Sequence, residues 1–307
     1  MSGAGLRGAG PPAQSRSGFI ALAGRPNVGK STLANAIVGA KVAIVSDKPQ
    51  TTRRAIRGVA TGPNWQLVLV DLPGVQRPRD ALTARMQRRV EQELEGADGC
   101  LFVINAQEGV GPGDRFIARL LEPAEIPVLI AANKIDRADR AGVAATLQAA
   151  EELDVADEIF PVSALTGSGM RQLIDHLVSL LPEGPFYFEP RQLTDQPEHV
   201  RLAELVREEV LRRTRHEVPH SVEVAIESID ESRAGGPIRI EAVILAETES
   251  QKRILIGAGG QMVKSIGTAA RRAIEQELGT RVHLDLRVRV RRHWRADEHI
   301  LDRLGIE

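Results

Sequence analysis

Phe19-Ile20-Ala21-Leu22-Ala23-Gly24-Arg25-Pro26-Asn27-Val28-Gly29-Lys30-Ser31-Thr32 decides how the first half of the chain folds. Residues 19–23 form a short apolar run, and the following eight satisfy the pattern G-x-x-x-x-G-K-[ST] between a predicted strand and a predicted helix. Glycines at 24 and 29 let the backbone wrap closely, so that successive N–H groups from Gly24 through Thr32 face phosphate oxygens. The helix N-terminus adds a positive end, Lys30 reaches the outer phosphates, and the Ser31 hydroxyl can ligate Mg²⁺.

Outward from that stretch, short apolar runs recur at 65–71, 100–105, 127–133 and 159–163, separated by segments of helical period such as 81–94 and 169–181. Strands apolar on both faces and separated by helices imply a doubly wound, mostly parallel sheet. Residues 55–60, the turn 61–64 and the run 65–70 read as a hairpin that adds one antiparallel edge strand. The expectation is a P-loop α/β domain over residues 18–183, with a six-stranded sheet.

The base is chosen elsewhere, by Asn133-Lys134-Ile135-Asp136 at the end of an apolar run, where ligands of such sheets bind. The Asp136 carboxylate can accept from both N1–H and the 2-amino group of guanine, donors that adenine lacks in that arrangement. Asn133 can tie this loop to the phosphate loop, and the Lys134 stem can lie along the ring face. Ser163-Ala164-Leu165, at the end of the next strand, can contact the base from the other side. Asp71-Leu72-Pro73-Gly74 also closes a strand: its carboxylate can hold Mg²⁺ through a water, and Gly74 can turn its N–H toward a γ-phosphate. Between them lies Gln50-Thr51-Thr52-Arg53, where a hydroxyl completes the Mg²⁺ shell when the γ-phosphate is present; Thr52 is favoured over Thr51.

These four ordered motifs resemble the translation-factor branch of regulatory GTPases over about 165 residues. The Ras-like pattern places a water-orienting Gln directly after Asp-x-x-Gly, but Val75 stands there, and Gln76, one residue later, has no established role. Slow intrinsic turnover is expected, with Lys30, Thr52, Gly74 and Asn27 as the catalytic set. Asn27 admits two readings: it helps bind K⁺ beside the phosphates, as in similar bacterial GTPases, or it stabilises the loop turn.

Bulk composition narrows the class. The 307 residues suit two domains; 42% are hydrophobic, 26% charged and 3% aromatic, so the cores rest on Val, Ile, Leu and Ala. With a formal net charge of −1, any basic surface must be local. The single cysteine, Cys100, excludes an intramolecular disulfide, reads as a core residue and suits a reducing compartment. No apolar stretch approaches the ~20 residues a membrane span needs. Residues 1–17 read as a flexible tail.

Residues 184–197 carry prolines and three aromatics and read as a partly packed linker. Residues 198–307 show a different pattern. A helix at 198–215 turns Val200, Ala203, Val206, Val210 and Leu211 inward and its Arg and Glu residues outward. Strands at 222–230 and 238–246 flank Gly235-Gly236; then come 251–256, a glycine loop, a helix to 278 and a strand at 282–290, the order α-β-β-α-α-β, with a tail after it. Gly257-Ala258-Gly259-Gly260 joins two helices, with Lys252, Arg253 and Lys264 close by. Such a Gly-x-x-Gly loop clamps the backbone of about four single-stranded nucleotides. Arg281, Arg287, Arg289, Arg291, Arg292 and Arg295 crowd the last strand and its end. They can contact phosphates while Trp294 stacks a base, or they form a solvated basic edge around a core Trp.

This module resembles an α+β KH domain of type II. With Lys48-Pro49-Gln50-Thr51-Thr52-Arg53 and Glu217-Val218-Pro219-His220-Ser221 added, the chain from about residue 18 onward resembles the Era family. The resemblance implies binding near the 3′ end of 16S ribosomal RNA and a part in maturing the small ribosomal subunit. It also implies GTP/GDP and Mg²⁺ as ligands, a cytoplasmic place, and no DNA partner; a monomer is expected. Peripheral attachment to the inner face of the cell membrane, proposed for the family, has no amphipathic anchor in this sequence. Era-like loops often carry Lys where Ala258 stands, which implies one phosphate contact fewer. The alternatives are a related GTPase of tRNA modification or large-subunit assembly, and an RNA-binding scaffold with negligible turnover. The expected mechanism is population switching, in which GTP orders the switch segments and sets the orientation of the KH-like module across the linker.

Overall fold

A strand running into a glycine loop, β1 (Arg16–Ala23), starts a computed structural model that describes residues 15–306 apart from 49, 76–79, 216–217 and 231–235. The α/β half continues with α1 (Lys30–Val38), β2 (Ile56–Thr61), β3 (Trp65–Asp71), α2 (Ala81–Glu95), β4 (Gly99–Asn105), α3 (Pro112–Leu121), β5 (Val128–Asn133), α4 (Arg140–Glu151), β6 (Glu158–Pro161) and α5 (Met170–Leu180). The strands lie in the order β2-β3-β1-β4-β5-β6. Among the described strands of this sheet only the β2–β3 pair is antiparallel, as the hairpin reading required. Every residue of β4 and β5 is buried, because helices cover both faces: Leu33 of α1 and Leu173 of α5 on one, Ile117 of α3 and Ala150 of α4 on the other. Cys100 lies in this core, where burial pushes its thiol up to about 12, so it packs and does not react.

The predicted tail is shorter than expected at its inner end. β1 begins at Arg16, and the Ser15 and Ser17 hydroxyls donate to the Gly184 and Pro185 carbonyls at 2.8 and 2.6 Å. The linker 184–197 therefore lies against the sheet. Gln66 exchanges two 2.9 Å hydrogen bonds with the Phe188 backbone, and Val59 N–H donates to the Leu193 carbonyl.

The second half comprises α6 (Glu198–Arg213), β7 (Glu223–Asp230), β8 (Ile238–Ala246), α7 (Glu249–Ile256), α8 (Gln261–Leu278) and β9 (Val282–Val290). Its sheet runs β7-β8-β9 with β9 parallel to β8, and α6 and α8 pack on it through Val206, Val210, Ile266 and Ile274. The α-β-β-α-α-β order is as read; Gly235 of the hairpin turn lies outside the described residues.

Two expectations fail here. The charged face of α6 is not solvated: Glu204, Arg207, Glu208 and Glu209 are all buried, because the α/β half covers that face. The segment after β9 is not a tail either. A 3₁₀ turn (Trp294–Ala296) leads into α9 (Glu298–Arg303), and Trp294, Leu301 and Ile306 pack with Leu82 and Met86 of α2. Arg295 pairs with Asp80, the N-cap of α2, at 2.5 Å.

Candidate functional site: a nucleotide pocket tied to an RNA-binding module

The phosphate loop owes its shape to two close approaches. Gly24 sits at φ 152°, and a Cβ there would fall 2.6 Å from the Val103 carbonyl; Gly29, at φ 103°, would meet the Asn133 amide at 2.4 Å. Lys30 opens α1 fully buried, its amine donating to the Gly24 and Arg25 carbonyls at 3.0 and 3.1 Å. Burial pushes the amine down to about 8, against the attraction of Asp71. Arg25 turns outward from the loop and pairs with the buried Asp114 at 2.9 Å. Pro26, Asn27, Ser31 and Thr32 line a cavity of about 310 Å³ with Thr52, Gly74 and Lys134. The Val28 side chain is in the core, and its carbonyl accepts from Asn133.

Ser31, Thr52 and Asp71 come together. Ser31 Oγ donates to Asp71 Oδ2 at 2.6 Å, Thr52 Oγ1 does so at 3.3 Å, and the two hydroxyls are 3.0 Å apart. Asp71 Oδ1 is buried with no hydrogen-bond partner among the described residues, and burial raises its carboxyl above the ordinary range. A buried carboxylate with an unmet oxygen beside two hydroxyls is a donor set of hard oxygens that fits Mg²⁺. Thr51 also lines the cavity, but its hydroxyl donates to the Lys48 carbonyl at 2.6 Å and not to Asp71.

After Asp71, Leu72 is buried in the core. Gly74 presses on the phosphate loop, where a Cβ would lie 2.9 Å from the Pro26 ring. Val75 donates its N–H to the Gly24 carbonyl at 3.3 Å, with its side chain in the core; Gln76 lies outside the described residues. Pro73 lies between Leu72 and Gly74 and so joins the core to that contact.

The base-side loop is knitted together as the sequence suggested. Asn133 donates to the Val28 carbonyl and accepts from Ala164 N–H, both at 3.1 Å. Lys134, at φ 68°, donates to the Asn27 carbonyl at 2.6 Å. Ser163 donates to Asp136 at 2.6 Å, and Leu165 stands 71% exposed, leaving an apolar lip beside that carboxylate. Asn27, at φ 64°, donates its amide N–H to the Asp47 carbonyl at 2.8 Å and so bridges the phosphate loop to the first switch.

Sequence reasoning missed the role of the residue after Thr52. Arg53 leaves the pocket and enters the second module, where it donates to Glu223 at 2.8 Å and to the Val222 carbonyl at 2.6 Å, fully buried. Its guanidinium lies 5.5 Å from the Trp294 ring centre. Arg54 pairs with Glu204 at 2.8 Å, and Arg207 donates back to the Thr51 carbonyl. Burial would raise the Glu223 carboxyl, but Arg54, Arg53 and Arg207 around it hold it at about 2. The two halves therefore meet directly at the first switch, and the linker is not their only connection. No local signal marked this junction: the four buried charged residues of α6, Glu204, Arg207, Glu208 and Glu209, read in sequence as an ordinary charged helix face.

On the KH-like module, Gly257, Gly259 and Gly260 all take positive φ, with Ala258 and Gly259 exposed at the tip. At Gly257 a Cβ would lie 2.9 Å from Met262 N, so only glycine fits the approach to α8. Lys252 and Lys264 have no ion-pair partner among the described residues, and Arg253 is exposed beside them. Arg289 is matched by Glu227, and Arg291 faces Asp297 at 3.9 Å, so part of that basic edge is neutralised. Trp294 is a correction: it is completely buried, and its indole N–H donates to the Ser221 carbonyl at 3.0 Å. No base can stack on it in this arrangement.

The fold and pocket define a P-loop GTPase domain joined to a KH domain. Sequence profiles agree: that of the 50S ribosome-binding GTPases matches residues 19–134, and that of the KH domain matches residues 217–295. The GTPase Era of Mycobacterium tuberculosis (strain H37Rv) is 47% identical over 294 residues, covering 94% of this chain and 98% of the relative. That of Lactobacillus helveticus is 42% identical, covering 95% and 96%. Era bound to MgGDPNP and nucleotides 1506–1542 of 16S ribosomal RNA superposes with a TM-score of 0.91 at 37% identity, covering 95% of this chain and 99% of that one. A variant of Aquifex aeolicus Era bound to GDP·AlF₄⁻ gives 0.90 at the same identity. The chain belongs to the Era family of GTPases and hydrolyses GTP.

Proposed function

We propose that this GTPase binds the 3′ region of 16S ribosomal RNA through its KH module and uses its nucleotide state to control that binding during maturation of the small ribosomal subunit. The observation that carries the reading is the direct junction between Thr52, at the Mg²⁺-compatible cluster, and Arg53, buried against Glu223 of the KH module. One residue step links the γ-phosphate sensor to the RNA-binding half. The Era relative solved with MgGDPNP and 16S nucleotides supports both ligands. A cytoplasmic location goes with the same reading.

In this mechanism Ser31 and Thr52 would supply hydroxyl ligands and the Asp71 carboxylate would hold Mg²⁺ through a water; the ion, when bound, would neutralise charge developing on the phosphates. Lys30 draws the β- and γ-phosphates, and the Gly74 N–H meets the γ-phosphate. Gly24, Arg25, Pro26, Asn27, Val28, Gly29 and Thr32 shape the cradle; Leu72 and Pro73 hold Gly74 in place. Asn133, Lys134, Asp136, Ser163, Ala164 and Leu165 form the guanine side. Asn27 also offers its amide oxygen to a K⁺ ion. RNA is held by Lys252, Arg253, Lys264 and the loop Gly257-Ala258-Gly259-Gly260, with Arg289 and Arg291 at the edge. After hydrolysis the first switch relaxes and Arg53 no longer holds the KH module in one orientation.

Crosslinking the full chain to a 16S 3′-end RNA with a GTP analogue or GDP bound, then mapping bases and peptides, tests this. Crosslinks at residues 252–264 that depend on the analogue are expected; identical crosslinks in both states would remove the switch. For the base, Asp136→Asn should shift preference from GTP to XTP.

A further inference from the structure

The position that carries the water-orienting Gln in Ras-like enzymes is closed in this protein. Val75 is 5% exposed, its side chain in the core and its N–H engaged with Gly24. Something else must orient the attacking water. An orienting group must line the cavity near Gly74 and Thr52, accept a hydrogen bond, and have an acceptor not already engaged.

Most polar side chains around the γ-phosphate end of the cavity are already committed. Ser31 and Thr52 turn to Asp71, Thr51 turns to the Lys48 carbonyl and Ser46 accepts from Lys48 N–H; Asn27 gives its amide N–H to the Asp47 carbonyl, and its oxygen is the one offered to K⁺ above. Lys30 is cationic and cannot accept. Gln50 is different. It lines the same cavity, and its Oε1 is buried with no hydrogen-bond partner among the described residues. Its backbone is held at φ 59°, a left-handed conformation that residues with a side chain rarely adopt. A strained backbone carrying an unmet buried acceptor, one residue before Thr51-Thr52, is a combination that belongs to working sites.

We propose that Gln50 positions the water that attacks the γ-phosphorus. Its Oε1 accepts a hydrogen bond from that water. The water oxygen forms the new bond to phosphorus, the bond from phosphorus to the β–γ bridging oxygen breaks with its electron pair leaving on GDP, and the water proton ends on the released phosphate. The amide never takes the proton; it orients a lone pair. The role falls to the first switch, so hydrolysis requires that switch to be ordered, and the second switch need supply only Gly74. The assignment of Gln50 rests on the GTP pocket formed by Lys30, Ser31 and Thr52.

The test uses the full-length protein with Gln50→Ala and Gln50→Glu. Single-turnover GTP hydrolysis should slow by roughly 10²-fold in Gln50→Ala, the cost of removing one preorganised polar group. Affinity for GDP and GDPNP should stay unchanged, while affinity for GDP·AlF₄⁻, which mimics the in-line arrangement, should fall with the rate. Gln50→Glu keeps an acceptor and should recover part of the loss. Wild-type hydrolysis in Gln50→Ala overturns the proposal. So does a slowing matched by an equal loss of GDPNP affinity, which marks a structural role. Lys30→Ala measured alongside separates the two levels: undiminished nucleotide affinity there overturns the pocket assignment itself.

Discussion

Arg53 of the first switch and Glu223 of β7 form a 2.8 Å ion pair with both side chains fully buried, 170 residues apart in sequence. Neither charge reaches water, so each depends on the other and on Arg54 and Arg207 nearby. A buried pair of this kind adds little net stability over an apolar substitute, but losing one partner is costly. Arg53→Ala should destabilise the chain by ~3–5 kcal/mol, since Glu223 keeps a buried charge. The control is Arg57→Ala, whose partner Asp195 is partly exposed, with an expected loss of ~0–1 kcal/mol. Urea denaturation measures both. The GTP-dependent difference in RNA affinity should shrink in Arg53→Ala and survive in Arg57→Ala.

Acid should act on the same knot. Glu223 is held at about 2, below its ordinary 4.5, so the folded state keeps it ionised where the unfolded chain takes up a proton. Its stabilisation is complete above pH 4.5 and is lost as the pH falls toward 2. Denaturation midpoints across that window should show a downward slope with falling pH, and Glu223→Gln should flatten it.

Lys30 gives an alkaline dependence of opposite origin. Its amine titrates at about 8 in the unliganded pocket because burial disfavours the charge. Phosphate binding needs the ammonium, so GTP binding takes up a proton above that value. Affinity should be flat below it and fall by ~tenfold per pH unit above it. Isothermal titration in two buffers of different ionisation enthalpy reads the proton directly.

Trp294 and Lys264 should separate stability from RNA binding. Trp294→Ala opens a cavity between α2 and α9 and should cost ~3–5 kcal/mol in stability. Lys264→Ala should leave stability alone, weaken RNA binding evenly across sequences and lower the salt slope by ~1. Fluorescence titrations at several salt concentrations distinguish them.

Potassium addresses Asn27. If its amide oxygen helps hold K⁺, hydrolysis runs faster in K⁺ than in Na⁺, and Asn27→Ala removes the difference. Equal wild-type rates in the two salts would leave the Asn27 side chain with its structural hydrogen bond to Asp47 as its role.

Local chemistry made much of this protein readable. Gly24 to Ser31, Asp71 to Gly74 and Asn133 to Asp136 could be placed because each is a contiguous segment whose work depends on its own backbone and on ending a strand. Thr52 could be preferred to Thr51, and it is the Thr52 hydroxyl that lies against Asp71 while that of Thr51 goes to Lys48. The mostly parallel sheet and the α-β-β-α-α-β module came from periodicity for the same reason: strands and helices announce their buried faces in spacing alone.

Charge at a distance was not readable. Arg53, Arg54, Glu204, Arg207 and Glu223 look like solvent-facing residues in any window around them, and only the packing of the two halves buries them. Trp294 looked able to stack a base until α9 and α2 closed over it. The opening stretch 19–32 thus determined by itself that the chain cradles phosphates, because a loop between strand and helix carries its own donors. Which residues join that loop to the RNA-binding half was decided by tertiary structure alone, since burial of a charge is a property of what lies opposite and no sequence window contains the opposite side.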